Sequence, residues 1–227
     1  MDDYLNNLNE VDAEYKVVLA GNTDIGKTTF FKKLTKGTFN EEQVSTIGID
    51  QKSFNYDITI TENGQDVKKK VKIILYDTAG QERYESITKT YFKKASGIIL
   101  LYSIIDRDSF INLTKWLKDV RDKLGNYENN KYLVFLMGTK FDIVKNDESK
   151  RKVKEEEALD FCDQNDLLWY GEYSSKDTSQ ETFQKLLAEF AKKLYIKVGF
   201  NKLQRDSVST LSSKKTKKQK KRCGCKK

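Results

Sequence analysis

The sequence feature that most constrains the fold is the loop Gly21-Asn22-Thr23-Asp24-Ile25-Gly26-Lys27-Thr28. An apolar run that ends at Ala20 precedes it and is typical of a buried strand, while residues 29–34 are typical of a helix. A glycine-bounded loop between a strand and a helix is the context that a phosphate-binding loop requires. The alternative is an ordinary glycine turn, and the Gly-x4-Gly-Lys-Thr spacing argues against it.

The residue types of this loop suit a polyphosphate. Two glycines let successive backbone N–H groups point inward, and the helix N-terminus adds partial positive charge. Lys27 can reach the β- and γ-phosphates, and the Thr28 hydroxyl can ligate Mg²⁺. We therefore predict a set of nucleotide-binding residues from this segment: Gly21, Asn22, Thr23, Asp24, Ile25, Gly26, Lys27, Thr28 and Thr29.

Composition excludes several classes of protein. The chain of 227 residues suits one domain and a tail. It has no run of roughly 20 apolar residues, and its acidic N-terminus is unlike a signal peptide. Three cysteines and no histidine argue against a disulfide framework or a zinc site, so we expect a reducing, cytosolic setting. We predict a flexible arm over 1–12, a domain over 13–199 and a disordered tail over 200–227.

The order of predicted elements indicates an α/β fold. Strands near 15–20, 97–103, 132–137 and 167–173 alternate with helices near 27–35, 84–94, 110–124 and 153–165, which predicts a mostly parallel sheet with helices on both faces. Extended segments at 49–61 and 67–76 flank Asn63-Gly64, a hairpin signal, and supply one antiparallel edge. A last helix is expected to open with a capping box from Thr178 to Glu181.

Two further motifs follow predicted strands, where ligands of such sheets bind. In Asp77-x-x-Gly80, the carboxylate can hold Mg²⁺ beside Thr28, and the Gly80 N–H can reach a γ-phosphate. In Thr139-Lys140-Phe141-Asp142, the Asp142 carboxylate can accept from the N1–H and 2-amino group of guanine, donors that adenine lacks. The aliphatic stem of Lys140 can lie along the base plane.

Two weaker signals complete the predicted base site. Ser174-Ser175-Lys176 ends the last strand, where a backbone N–H can meet guanine O6. Phe39 is interpreted either as a minor core residue or as an aromatic contact to the base.

The combined motifs resemble those of Ras-superfamily small GTPases, over roughly residues 13–198. The chain is most similar to the Rab family, through Ser45-Thr46-Ile47-Gly48-Ile49-Asp50, Asp77-Thr-Ala-Gly-Gln-Glu-Arg-Tyr84 and Ser86-Ile87-Thr88. The resemblance implies a small G domain with about six strands, which uses Mg²⁺ and binds GTP and GDP. It implies that Thr46 binds Mg²⁺ and the γ-phosphate, and that Gln81 orients the attacking water.

The resemblance also implies partners. These are a nucleotide exchange factor, a GTPase-activating protein, effectors that bind through residues 44–51 and 80–94, and prenyl transferase, escort and dissociation-inhibitor proteins. No nucleic-acid partner is expected.

The sequence departs from its relatives at several positions. Thr139 stands where most relatives have Asn, although Rho-family proteins also carry Thr there. Asp24 adds a carboxylate to the phosphate loop, and we expect it to weaken phosphate binding or slow hydrolysis unless its side chain points to solvent. Gln51, Tyr76 and Ser175 also differ from the usual residues, and the hairpin is several residues longer than usual for a Rab.

The net charge of +8 belongs to the tail. Residues 214–227 hold nine Lys or Arg and no acid, so removing them leaves a net charge of −1. The tail is interpreted either as a solvated, nuclear-localisation or RNA-binding arm, or as a lipid anchor. Two lipid chains, or one with a basic patch, hold a protein stably on a membrane, and Cys223-Gly224-Cys225 resembles the doubly prenylated ending of Rab proteins.

These observations predict a guanine-nucleotide switch that hydrolyses GTP slowly and regulates membrane trafficking from the cytosolic face of a membrane. The alternative is a cytosolic or nuclear GTP-binding protein whose basic tail binds nucleic acid or a transport receptor. A kinase or ATPase is a third possibility, but it lacks a second substrate site and conflicts with Asp142.

Overall fold

The structure is a computed structural model that describes residues 11–39, 49–78, 91–93, 95–124 and 132–199. Its strands are β1 (Ala13–Ala20), β2 (Ile49–Glu62), β3 (Gln65–Thr78), β4 (Gly97–Ser103), β5 (Leu133–Thr139) and β6 (Leu168–Tyr173). They form one sheet in the order β2-β3-β1-β4-β5-β6. The β2–β3 pair is antiparallel and the other four pairs are parallel, which confirms the predicted sheet.

Helices cover both faces of this sheet. They are α1 (Lys27–Lys36), α2 (Arg107–Ile111), α3 (Leu113–Leu124), α4 (Phe141–Asn146), α5 (Glu155–Asn165) and α6 (Gln180–Val198), with a 3₁₀ turn at Glu148–Lys150. No helix in the described ranges is both long and apolar enough to cross a bilayer.

Side chains along the central strands alternate between the two faces of the sheet, and this creates two hydrophobic cores. Successive strand residues face opposite sides of a sheet, so Ile99 and Leu101 pack with α1 and α6, whereas Ile98 and Leu100 pack with α2, α3 and α5. Every residue of β4 and β5 is buried, as expected of central parallel strands. The two cores enclose β1, β4 and β5, and these strands carry the loops at their carboxyl ends.

The antiparallel hairpin is longer than the sequence predicts. Its two strands have 14 residues each and pair continuously from Ile49–Thr78 to Glu62–Gln65. The turn residues Asn63 and Gly64 both have positive φ, 52° and 78°, which matches the right-handed twist of the strands. Residues 61–66 are exposed, so the tip projects into solvent as predicted.

Helix boundaries differ from the sequence predictions in three places. The single helix predicted over 110–124 is two helices in the structure. These are α2 and α3, which begin earlier, at Arg107, and are separated at Asn112. The short helix α4 was not predicted. The prediction of a capping box at Thr178 is wrong. Ser179 is the N-cap of α6, and its hydroxyl accepts from the Thr182 N–H at 3.1 Å. The Thr178 hydroxyl instead accepts from the Ser174 N–H at 3.3 Å. The predicted helix at 84–94 lies mostly outside the described residues.

Close packing of β4 against α6 generates a stability prediction. A Cβ on Gly97 would lie 2.6 Å from Cζ of Phe190, whose ring centroid is 3.9 Å from that of Phe135. Because the ring is confined, Gly97→Ala should lower the free energy of unfolding by about 1–3 kcal/mol. Denaturant unfolding of Gly97→Ala, Phe190→Leu and the double variant measures this. Purely additive losses would contradict the proposed contact, since a smaller side chain at 190 should relieve the clash.

Candidate nucleotide-binding site

Four segments that contain predicted site residues lie at one edge of the sheet. The phosphate loop follows β1, Asp77 lies at the end of β3, and Thr139 and Ser174 lie at the ends of β5 and β6. These four strands are mutually parallel, so their carboxyl ends share one edge. Ligands of open α/β sheets bind at this edge.

The backbone of the phosphate loop needs both glycines. Gly21 has a φ of 138°, and a Cβ there would collide with the Leu101 carbonyl and the Ile25 side chain. Gly26 has a φ of 99° and is the N-cap of α1. No side chain caps this helix, and its first turn holds no acid, so its N–H groups and partial positive charge are available to an anion.

Lys27 is almost fully buried at the start of α1, with 5% of its surface exposed. Its ammonium donates to the Gly21 carbonyl at 2.9 Å and to the Asn22 carbonyl at 2.5 Å, so it folds back across the loop. Burial lowers the pKa of Lys27 to about 8, and the nearby carboxylates of Asp77 and Asp24 oppose that shift. The amine is therefore mainly protonated at neutral pH and is positioned to bind phosphate oxygens.

Asp77 is fully buried, and neither carboxylate oxygen makes a hydrogen bond of good geometry among the described residues. Burial raises the pKa of Asp77 to about 6, while the Thr28 hydroxyl and the Lys27 ammonium lie near enough to oppose that shift. A buried carboxylate without a full set of partners is costly. Carboxylate and hydroxyl oxygens are hard ligands of the kind that Mg²⁺ prefers, so Asp77 and Thr28 fit a magnesium site.

Asp24 lies at the centre of the phosphate loop in a left-handed conformation, with a φ of 56°. Its side chain is exposed, yet its carboxylate is close enough to raise the pKa of Lys27. The exposed carboxylate therefore still contributes to the electrostatic environment of the Lys27 ammonium.

Thr139 tethers the phosphate loop to the sheet. Its buried hydroxyl lies within hydrogen-bond distance of two backbone carbonyls, 2.5 Å from that of Ile25 and 2.9 Å from that of Tyr102. The shorter Thr side chain thus still reaches the loop across the edge of the sheet. A second tether, which the sequence did not reveal, is the Trp116 indole N–H, which donates to the Asn22 side-chain oxygen at 2.9 Å.

The predicted base side of the site consists of two short turns. Lys140 has a φ of 66° and is the N-cap of α4, and Asp142 is half-buried in the first turn of that helix. Buried Ser174 accepts with its hydroxyl from the N–H groups of Lys176 and Asp177, at 3.0 and 3.1 Å. Ser175 is half-buried and Lys176 is exposed, whereas Phe39, two residues beyond the Gly37 cap of α1, is 37% exposed.

A bidentate ion pair lies beside the base-side turns. Both terminal nitrogens of Arg151 donate to the carboxylate of Glu172 on β6, at 2.7 and 2.9 Å, and its Nε donates to Glu148 at 2.6 Å. The hydrogen bonds to Glu172 raise the pKa of Arg151, and Glu172 pairs with Gly138 next to Thr139. Arg151 thereby joins the segment after α4 to β6. The sequence holds no motif that marks this pair, because its members are 21 residues apart.

Five predicted residues lie outside the described part of the chain. They are Thr46, Gly80, Gln81, Cys223 and Cys225.

Comparisons with known proteins agree with this architecture. The model of the Ras family matches residues 16–195. The human Ras-related protein Rab-30 is 33% identical over 204 residues, which cover 90% of this chain and 91% of that protein. The GTP-binding protein ypt3 of Schizosaccharomyces pombe is 35% identical, with 79% of this chain and 77% of that protein covered. Ras-related protein Rab-13 of Canis lupus familiaris is 34% identical, with 77% and 79% covered.

The sheet and its loops define a P-loop protein of the small G-domain type. The chain belongs to the Ras family of small GTPases and is similar to Rab proteins.

The burial of Asp77 generates a prediction about pH. Because the folded-state pKa of Asp77, about 6, exceeds the ordinary value near 3.9, ionisation of Asp77 makes an unfavourable contribution to stability that develops as pH rises from about 4 to 6. In nucleotide-free, magnesium-free protein, Asp77→Asn should therefore be nearly neutral at pH 4 and stabilising by on the order of 2–3 kcal/mol at pH 7.

Denaturant unfolding across this pH range, compared with the exposed-residue control Asp57→Asn, checks the effect of Asp77. A gain that does not depend on pH would contradict the assignment of the shift to Asp77.

Proposed function

We propose that this chain is a guanine-nucleotide switch that binds GDP and GTP with Mg²⁺ and slowly hydrolyses GTP to GDP. The observation that carries the proposal is the burial of both Lys27 and Asp77 near the N-terminus of a helix that no side chain caps. A buried cation and a buried carboxylate beside open N–H groups suit a polyphosphate with a divalent cation.

Each predicted residue has a role in this proposal. The phosphate loop and Lys27 bind the phosphates, and the base is recognised by Lys140, Asp142 and the 174–176 turn. Thr28, Thr46 and Asp77 would hold Mg²⁺, which when bound neutralises charge on the phosphate oxygens. The remaining nucleotide contacts are assigned to Thr29, Phe39, Gly80 and Thr139.

Hydrolysis requires a water molecule aligned with the γ-phosphate. We assign this orientation to Gln81, with Gly80 N–H as a donor to the γ-phosphate. The phosphate loop contains no arginine, so an activating protein would supply the cation that speeds hydrolysis. Residues 44–51 and 80–94 would change conformation with the nucleotide and present the surface for effectors.

Membrane attachment is assigned to the tail. Cys223 and Cys225 would carry prenyl groups, while the seven basic residues of 214–222 attract an anionic leaflet. In this proposal residues 13–199 form the GTPase domain, and residues 200–227 link it to the cytosolic face of a membrane. Similarity to Rab-30 and Rab-13 supports a role in membrane trafficking with an exchange factor, an activating protein and prenylation partners.

The base-side assignment predicts a change in nucleotide preference. The parent protein should bind GDP and GTP far more tightly than ADP or ATP. Asp142→Asn should weaken GTP binding by about a hundredfold or more and favour xanthosine triphosphate, because an amide reverses one donor–acceptor pair. Competition titrations with all three nucleotides measure this, and Asp163→Asn on exposed α5 is the control. Equal affinity of the parent for GTP and ATP would refute the proposed function.

The proposed role of the tail predicts that its lipid groups and its basic residues contribute separately to membrane binding. Changing both Cys223 and Cys225 to Ser should release the protein to the cytosol without altering nucleotide binding, because lipid supplies the salt-independent anchoring. Changing the basic residues of 214–222 to Gln should instead redistribute the lipidated protein among membranes, since each contributes up to about 1 kcal/mol near an anionic surface. Fractionation in low and high salt separates these terms. A double-Ser variant that stays on membranes at high salt would exclude the lipid anchor.

A further inference from the structure

The side chain of Trp116 reaches the phosphate loop from the face of the sheet that is opposite α1. Its ring packs with Leu113 and Leu117 in the core that α3 covers, and only 7% of the residue is exposed. Its indole N–H donates to the side-chain oxygen of Asn22 at 2.9 Å. Because an unpaired buried donor is costly, the contact favours one position for both side chains.

Asn22 links this indole to the ammonium of the site. Its side-chain oxygen accepts from Trp116, while its backbone carbonyl accepts from the Lys27 ammonium at 2.5 Å. Lys27 also donates to the adjacent Gly21 carbonyl at 2.9 Å. A continuous path of two hydrogen bonds therefore runs from α3, through one residue of the loop, to the side chain that is assigned to phosphate binding.

The indole is itself anchored to the sheet. The backbone N–H of Trp116 donates to the Asn112 carbonyl at 3.1 Å, at the break between α2 and α3. In α2, the Ser109 hydroxyl accepts from the Ser103 N–H at 2.9 Å, at the end of β4. Since β4 pairs with β1, which carries the phosphate loop, the same part of the sheet positions both the donor and the acceptor of the indole contact.

The contact lies at the phosphate end of the site. Asn22 and Lys27 belong to the phosphate loop, whereas the residues assigned to the base lie on α4 and on the turn after β6. Without the indole N–H, the Asn22 side chain loses its partner, and the exposed segment of Thr23 and Asp24 that follows it is less restrained. Ordering that segment then adds to the cost of binding a phosphate, but not to the cost of binding the base.

We propose that Trp116 is a positioning residue for phosphate binding, which acts through Asn22 on the loop and on Lys27 and so strengthens the binding of a β-phosphate. This inference rests on the proposed guanine-nucleotide binding. The indole itself is assigned no contact with the nucleotide. Its effect is therefore expected for ligands whose phosphate occupies the loop, which sets GDP apart from GMP.

The experiment measures the affinities of GDP and GMP for the full-length chain, by competition with a fluorescent GDP in excess Mg²⁺. Trp116→Phe removes the donor but keeps an aromatic ring in the core, Asn22→Ala removes the acceptor, and a double variant removes both. The matched control is Trp169→Phe. It removes the only other indole of the chain, whose N–H donates to Glu155 at 3.3 Å outside the site.

We expect Trp116→Phe to weaken GDP binding about three- to tenfold, the effect of one hydrogen bond, and to leave the affinity for GMP within about twofold of the parent value. Asn22→Ala should weaken GDP binding at least as much, because it leaves the buried indole N–H unpaired. The double variant should bind GDP no more weakly than Asn22→Ala, since the effects of two residues that act through one contact do not add. Trp169→Phe should match the parent for both nucleotides.

A second measurement tests the contact in the absence of nucleotide. In the Trp169→Phe chain, Trp116 is the only source of indole fluorescence. Adding Asn22→Ala should shift its emission maximum in nucleotide-free protein, because the indole loses its hydrogen bond. An unchanged maximum would contradict the contact itself.

The binding measurements can also overturn the proposal. An unchanged affinity for GDP in Trp116→Phe, or equal losses for GDP and GMP, would show that the indole has no specific role in phosphate binding. Losses that add in the double variant would show that Trp116 and Asn22 act independently. These results leave guanine-nucleotide binding intact, whereas a parent chain that binds neither nucleotide would refute the proposed function and this inference together.

Discussion

The site depends on two opposite charges that are buried at the same edge of the sheet. Lys27 and Asp77 both lie below 6% exposure, and each shifts the pKa of the other toward its charged form against the effect of burial. Neither burial is favourable by itself, since desolvation of an ion costs several kcal/mol. The protein retains this unfavourable arrangement where a charged ligand and a divalent cation can complete it, which is typical of a functional site.

The rigidity that supports these charges comes from long-range hydrogen bonds. The Thr78 hydroxyl donates to the Leu19 carbonyl at 2.7 Å and joins the ends of β3 and β1, beside Asp77. Thr139 joins the phosphate loop to β4 and β5, and Trp116 joins it to α3. Two of these bonds, from Thr139 and Trp116, thus tether the loop itself before any ligand binds, which lowers the entropic cost of binding.

The Thr at position 139 and the Asp at position 24 have different consequences for the same loop. Thr139 preserves the loop tether although its side chain is shorter than the usual Asn, because its hydroxyl reaches the Ile25 carbonyl directly. Asp24 has a left-handed backbone, and its carboxylate raises the pKa of the Lys27 ammonium. Thr139 therefore acts on the position of the loop, whereas Asp24 acts on its electrostatics.

The sequence by itself determined which segments form strands and most of the helices, and it marked the loops that meet at one edge of the sheet. It could do so because buried strands are continuously apolar, and because the Gly-x4-Gly-Lys-Thr spacing and the Asn63-Gly64 turn are local signals. It did not determine the α2–α3 break, the Ser179 cap, the Trp116–Asn22 tether or the Arg151–Glu172 pair. The break and the cap reflect competition between local hydrogen bonds. The tether and the pair join residues 94 and 21 positions apart, so only the packing of the sheet and its helices brings them together.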